Sequence, residues 1–279
     1  MESLINMDGL SNVLNNLIDK VSTAVGWVAT HDTPNRVAVS TYIQEIQNSN
    51  YDPITKAALI SQAKKSIKEY CNQQDILSVA TQALMPTAQP EEIDEDWITQ
   101  FMDKARLVSD SEFQVLWGNI LAEECNVPGS IPKGLLHIME QMDKDMATVF
   151  MAVAAVSVYI EEEKREYSPM IDGESTEEIR QKIGISYDDL LNLQSVGLIE
   201  THFSGFGSRV YVTAEVTPVV IHYFDEEYRL PKGRSKFRAG RVVYTKAGQA
   251  LCRAVKPQKI EGFFKECCIP VWEKELKNG

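Results

Sequence analysis

Apolar residues recur at helical spacing through most of the first half of the chain. Leu10, Val13, Leu14, Leu17, Ile18, Val21, Val25 and Val28 form one stripe, which predicts an amphipathic helix beginning near Asp8. Its polar face carries Asn12, Asn15, Asn16 and Asp19, with Lys20 as the one cation. A helix lying on a membrane surface usually presents several Lys or Arg there, so the stripe points to packing or self-association. Pro34 breaks the pattern, and a second helical region covers Val37 to Asn48. Ile54 to Leu84, rich in Ala, Lys, Gln and Ser, reads as one bent helix or two, with the composition of an outer helix or an arm touching another subunit. "MPTAQPEEIDED", Met85 to Asp96, reads as a linker and an acidic helix lead-in, where carboxylates favour the helix dipole.

The pattern then tightens. Trp97, Ile98, Phe101 and Ala105 fit one helix. Ser109 and Glu112 read as a capping box for a second, with Phe113, Leu116, Trp117, Ile120 and Leu121 at offsets of three and four. Pro128 and Gly129 end it. Ser130 is placed to cap a short helix bearing Leu135, Met139 and Met142, and Asp143 to cap the apolar run Met146 to Ile160. That run reads as a central buried helix, because a membrane-spanning helix needs about 20 apolar residues. From Ser175 the periods alternate. Ser175 with Glu178 predicts a capped helix to Ile183, and Ser186 opens another that Gly197 stops. "RVYVTAEV", "VVIHYF" and "RVVYT" read as strands, and "TKAGQALCRAV" as a helix.

These elements predict a mainly α (α+β) protein: a helical core domain with a C-terminal winged-helix-like module. The expected segments are amphipathic helices at 1–50, a helical arm and linker at 51–90, the helical core at 91–166, the winged-helix-like module at 167–257 and a C-terminal helix at 258–279, interrupted near Pro270.

Charge narrows the partners. A net charge of −12 over 279 residues opposes general nucleic-acid binding, which depends on neutralising phosphates, while leaving room for a local basic surface. Cys71, Cys125, Cys252, Cys267 and Cys268 are odd in number and lack a C-x-x-C, which reads as reduced thiols in a cytoplasmic protein. His31, His137, His202 and His222 are scattered without metal-site spacing, so no metal or other cofactor is expected.

The stretch from Asp96 to Phe150 resembles the bacterial family catalogued as domain of unknown function 2806. That family ends a helix with Trp, apolar residues and Glu, then turns through Pro-Gly-Ser; Trp117, Leu121, Glu124, Pro128, Gly129 and Ser130 match here. Gly9 to Gly26, "YDDLLNLQSVGLI" and "YTKAGQAL" resemble its N- and C-terminal parts. The chain departs after the Pro-Gly, where the family often has Ser-Phe-Ser-x-Arg-Thr and this sequence has Ser130, Ile131, Pro132, Lys133, Gly134 and Leu135. The family name implies no activity. The Trp-containing helix is also similar to the abortive-infection alpha family, and that similarity implies a setting in phage defence.

Two places carry candidate chemistry. Glu124 follows Phe113 by eleven residues and so returns to the apolar face of its helix, whereas Glu123 and Cys125 diverge from it. The three therefore do not form paired acid–base groups. A carboxylate on a buried face needs partners. The favoured reading is a structural one, with Glu124 accepting from backbone N–H groups between Ile131 and Gly134; a buried Arg or Lys is the alternative.

The second place is "RLPKGRSKFRAGR", with Arg229, Lys232, Arg234, Lys236, Arg238 and Arg241 and no acidic residue. It reads as a loop or β-arm that either contacts phosphate or nucleic acid, or stays solvated or paired with an acidic surface. The helix that would read DNA presents Asp188 and Asp189 and no Arg or Lys, which argues against operator binding. "GFGSR", Gly205 to Arg209, lacks the Lys-Ser/Thr of a phosphate loop and reads as a strand turn.

With no convergent catalytic set, the expected function is that of a non-enzymatic bacterial or prophage protein. It would be a sensor or adaptor in antiphage defence, acting through a homo-oligomer or a partner protein held by the N-terminal helix. A nucleic-acid- or nucleotide-binding regulator using residues 229–241, and an enzyme with an inter-subunit site, are the alternatives.

Overall fold

The computed structural model describes residues 2–26, 36–161, 166–171, 183–201, 211–213, 219–230, 235–238 and 241–278. The protein is mainly α-helical with small antiparallel sheets, and it divides into two compact units, Met1–Leu136 and His137–Gly279. Residues 175–182 of the helix expected from Ser175 to Ile183, and the "GFGSR" turn, lie outside the described residues.

The first unit is helical. Helix α1 spans Glu2–Val25, α2 Arg36–Asn48, α3 Pro53–Gln82, α4 Glu95–Ala105 and α5 Ser111–Asn126. The α1 stripe is used within the unit: Val13, Leu17 and Val21 are buried, and the helix packs on α4. Asn16 donates to Glu91 at 3.0 Å and Lys20 to the Glu91 carbonyl at 3.3 Å, so the Asn-rich face is anchored too.

Helix α3 is one continuous helix. Pro53 opens it, and the Asp52 carboxylate accepts from the N–H groups of Ile54 (3.0 Å) and Thr55 (3.1 Å). Its second half docks on α5. Gly118 makes that approach possible, because a Cβ there would lie 2.5 Å from Val79 Cβ and 2.9 Å from the Ile76 carbonyl oxygen. Two buried polar residues of α3 also tie off the end of α4. Gln73 donates to the Met102 carbonyl at 2.9 Å and Asn72 to that of Arg106 at 2.8 Å, satisfying carbonyls that a helix end leaves open.

Some caps differ from those the sequence suggests. Asp110, not Ser109, caps α5, with its carboxylate accepting from Glu112 N at 3.0 Å and Phe113 N at 3.4 Å; the aspartate sits one residue closer and carries charge toward the helix dipole. Ahead of helix α6 (Lys133–Gln141), the Ser130 hydroxyl donates back to the Glu123 carbonyl at 3.4 Å. Asp143 does cap α7 (Lys144–Ala155), accepting from Met146 N at 2.8 Å.

The second unit corrects the largest expectation. The apolar run from Met146 does not stay helical to Ile160. Helix α7 stops at Ala155, and strand β1 occupies Ser157–Glu161. Ser157 donates to the Val153 carbonyl at 2.8 Å and Tyr223 to that of Ala155 at 2.9 Å, so side chains satisfy the helix end. Beyond it Val158 and Ile160 point to the core while Tyr159 and Glu161 do not, the period of a half-buried strand.

Strand β2 (Glu166–Pro169), β5 (Val219–Tyr223) and β6 (Glu226–Leu230) complete an antiparallel sheet of order β2-β1-β5-β6. Between β2 and β5 come helix α8 (Tyr187–Ser195), β3 (Ile199–Thr201) and β4 (Tyr211–Thr213). Later come β7 (Ser235–Arg238), β8 (Val242–Tyr244) and helix α9 (Lys246–Ala254). Strand β3 pairs with β8, and β4 with β7. Ser186 caps α8 in a reciprocal box with Asp189, and Thr245 caps α9, accepting from Gly248 N at 3.1 Å. The tail changes helix type just before Pro270: a π-helical turn at Phe263–Cys268 leads directly into α10, Ile269–Asn278, whose first turn tolerates the proline.

Candidate functional site

The Glu124 junction is built inside the first unit. Helix α5 carries Glu124 inward until it is only 1% exposed. Pro128 and Gly129 reverse the chain, with Gly129 at φ +82°, a left-handed conformation in which a Cβ is disfavoured. The reversal returns two backbone N–H groups to the carboxylate: Gly129 donates to Oε1 at 2.7 Å and Ile131 to Oε2 at 2.8 Å. Ile131 lies in the stretch the sequence indicates, and Gly129 just before it. Trp97 donates its indole N–H to the Ile131 carbonyl at 3.0 Å, so both sides of residue 131 are held by buried side chains. Trp97 stacks on Phe101 (5.1 Å between centroids), which meets Trp117 at 5.1 Å.

Burial raises the pKa of Glu124, and the two N–H bonds pull it down less strongly. Lys133 serves other carboxylates, Asp94 at 2.9 Å and Asp96 at 3.8 Å. Cys125, beside Glu124, is buried, and burial pushes its pKa to about 12, the opposite of what a thiolate nucleophile needs.

The basic stretch is divided among several backbone elements. Arg229 stands in β6, with its guanidinium 3.1 Å from Glu227. Lys236 and Arg238 belong to β7, in a different sheet. The Arg241 N–H donates to the Ile171 carbonyl at 2.8 Å. Lys232 and Arg234 lie outside the described residues.

A site that the sequence did not indicate lies on the open face of the four-stranded sheet. Strand register aligns Tyr167, Tyr159 and His222 in one row across β2, β1 and β5, because Tyr159 is opposite both. Tyr159 contacts Tyr167 at 5.2 Å and His222 at 6.0 Å between ring centroids. Glu161, two residues along β1 on the same face, lies 3.2 Å from His222 Nε2. Residues from the end of α9, including Arg253 and Val255, wall a cleft of about 540 Å³ over this row, a size suited to a small ligand. Cys252 lies at its floor with a pKa pushed by burial to about 12, so the cleft offers no reactive thiol.

Phe224 forms part of the rim. It is 46% exposed and has φ +53°, a conformation that non-glycine residues seldom adopt. The surrounding hairpin holds it there. Lys259 pairs with Asp225 at 2.5 Å and Glu226 at 2.7 Å, and the Tyr223 hydroxyl accepts from Ile260 N at 3.0 Å. Backbone strain of this kind concentrates at binding sites. The sequence signal is the alternation in "VVIHYF", but Tyr159 falls within the run that reads as helix, and Glu161 meets His222 across 61 positions of sequence.

Fold and site together define a two-unit, mainly α-helical protein with one internally satisfied carboxylate turn and one open aromatic cleft. The chain belongs to the family described as "Protein of unknown function (DUF2806)", which matches residues 59–268. The match includes the Glu124 turn and the residues of the cleft, and begins after Gly9 to Gly26. No curated protein and no solved structure gives a match. Among the described residues, no helix is long and apolar enough to cross a membrane, and no group of three or more His, Cys, Asp or Glu is placed to hold a metal ion.

Proposed function

We propose that this protein is a non-enzymatic, cytoplasmic sensor or adaptor of a bacterium or prophage, acting in antiphage defence, with the open sheet face of its second unit as the recognition element. The observation that carries this reading is the Tyr167–Tyr159–His222 row beneath a cleft, with Phe224 held at its rim. Rigid aromatic side chains supply contact area at low entropic cost, which suits recognition. Two groups that a catalyst could use support the non-enzymatic part: Glu124 is engaged by two backbone donors, and Cys252 is held protonated by burial. The defence setting is supported only by the resemblance of the Trp-containing helix sequence to the abortive-infection alpha family.

Two finer readings belong with it. Helix α8, the β3–β8 pair and α9 follow one another as a winged-helix-like module would arrange them, a fold that serves protein contacts as readily as DNA. Self-association would then use surfaces other than the α1 stripe, whose centre is already covered by α4.

The test is phage challenge of cells carrying the gene, with wild-type protein compared with Tyr159→Ala and Arg253→Ala at equal abundance. Protection that disappears in both variants supports the reading. Absence of protection by the wild type, or protection unchanged in both variants, overturns it.

A further inference from the structure

We infer that the cleft binds a nucleoside phosphate, with the base on the Tyr159 row and the phosphate at Arg253. The inference rests on the reading of the cleft as a recognition element and adds its ligand class. Three features converge on it. The row of Tyr167, Tyr159 and His222 offers π surface, and Phe224 stands exposed at the rim; such surfaces stack planar bases. Glu161 and His222, 3.2 Å apart, bring an acceptor and a ring nitrogen to one end of the row, as hydrogen bonding to the polar edge of a base requires. Arg253 brings a guanidinium to the cleft wall, and its fork of N–H donors matches phosphate geometry. The cleft volume of about 540 Å³ accommodates one nucleotide, not a folded partner.

A simple cation would use the aromatic rings and Glu161 but would meet repulsion from Arg253. A ligand carrying both a base and an anionic phosphate meets a complementary group for each. Phe224 needs no rearrangement to contribute, because the Lys259 pairs already hold its hairpin.

The experiment is calorimetric titration of the full chain with AMP, GMP, CMP and UMP, with the matching nucleosides and with choline. At least one nucleotide is expected to bind in the micromolar to low-millimolar range, and its nucleoside about tenfold more weakly. Tyr159→Ala is expected to weaken binding by about tenfold or more, in line with base–aromatic stacking. Arg253→Ala should remove the difference between nucleotide and nucleoside. Phe224→Gly, which suits the backbone conformation, separates contact from folding: it should weaken binding with the melting temperature kept.

Failure of all four nucleotides, binding unchanged by Tyr159→Ala, or binding of choline alone overturns the inference. That failure is distinct from failure of the proposed function. Phage protection lost in Tyr159→Ala while no nucleotide binds would remove the ligand class and leave the recognition site standing.

Discussion

The two polar clusters of this protein use similar residues to opposite ends. At the α5 turn, Glu124 and Cys125 are buried, and both carboxylate oxygens accept from the chain's own backbone. On the open sheet, Glu161 and His222 are about half and one-third exposed, facing a cleft with Arg253 on its wall. The first arrangement fixes the path of the chain by turning both oxygens onto backbone donors. The second leaves charged and aromatic groups at the surface, where stability gains little from them. A buried polar residue is thus no sign of a binding site by itself; the direction of its hydrogen bonds decides.

The comparison breaks if the Glu124 turn tolerates loss of its acceptor. Glu124→Leu leaves the buried Ile131 N–H without its acceptor and removes that of the exposed Gly129 N–H, and should cost about 1–3 kcal/mol in denaturant unfolding. Unchanged stability would make Glu124 something other than the brace of the turn. Gly118→Ala tests the packing that supports the same helix. The added methyl meets Val79 and the Ile76 carbonyl, so α3 and α5 must separate, at about 1–3 kcal/mol.

Glu124→Gln sharpens the contrast further. The amide keeps one acceptor and places an NH2 against the second N–H, at a cost of about 1 kcal/mol. Its pH dependence has a definite sign. The folded pKa of Glu124 is raised by burial, so the unfolded chain releases this proton first as pH rises. The contribution of Glu124 is full below the ordinary carboxylate pKa and declines as pH climbs through the raised folded value. The stability advantage of wild type over Glu124→Gln should therefore shrink from acid to neutral pH; an advantage that grows would reverse the assignment.

The smallest effect belongs to the cleft. Tyr159→Ala and Arg253→Ala should shift unfolding by less than about 1 kcal/mol, since both side chains lie at a surface. A loss as large as that of Glu124→Leu would place the aromatic row among the structural elements and remove the distinction between the two regions.

Much of the helical architecture was legible in the sequence, because a stripe at 3.6-residue spacing is a local property. Leu17, Ile120 and Leu121 could be assigned to buried faces from their neighbours alone, and all three are fully buried. Glu124 could be placed on its buried face by the same arithmetic. What local spacing did not supply was the switch at Ala155. An apolar run that enters a core reads alike as helix or strand, and here tertiary partners chose: Tyr223 closes the helix end, and β2 and β5 claim Tyr159 as a strand residue.

The cleft was hidden for the same reason. Tyr159, Tyr167, His222 and Arg253 are distant in sequence, and only strand register and the placement of α9 bring them to one face. The sequence by itself determined which helical stripes face inward in the first unit and that Glu124 must find partners indoors, since periodicity and the cost of burying a charge are local facts. The turn at Gly129 added its own N–H to that of Ile131, which the sequence already indicated, and tertiary structure alone decided that an aromatic row stands open in a cleft that Arg253 lines, because that depends on contacts between segments that no short-range pattern encodes.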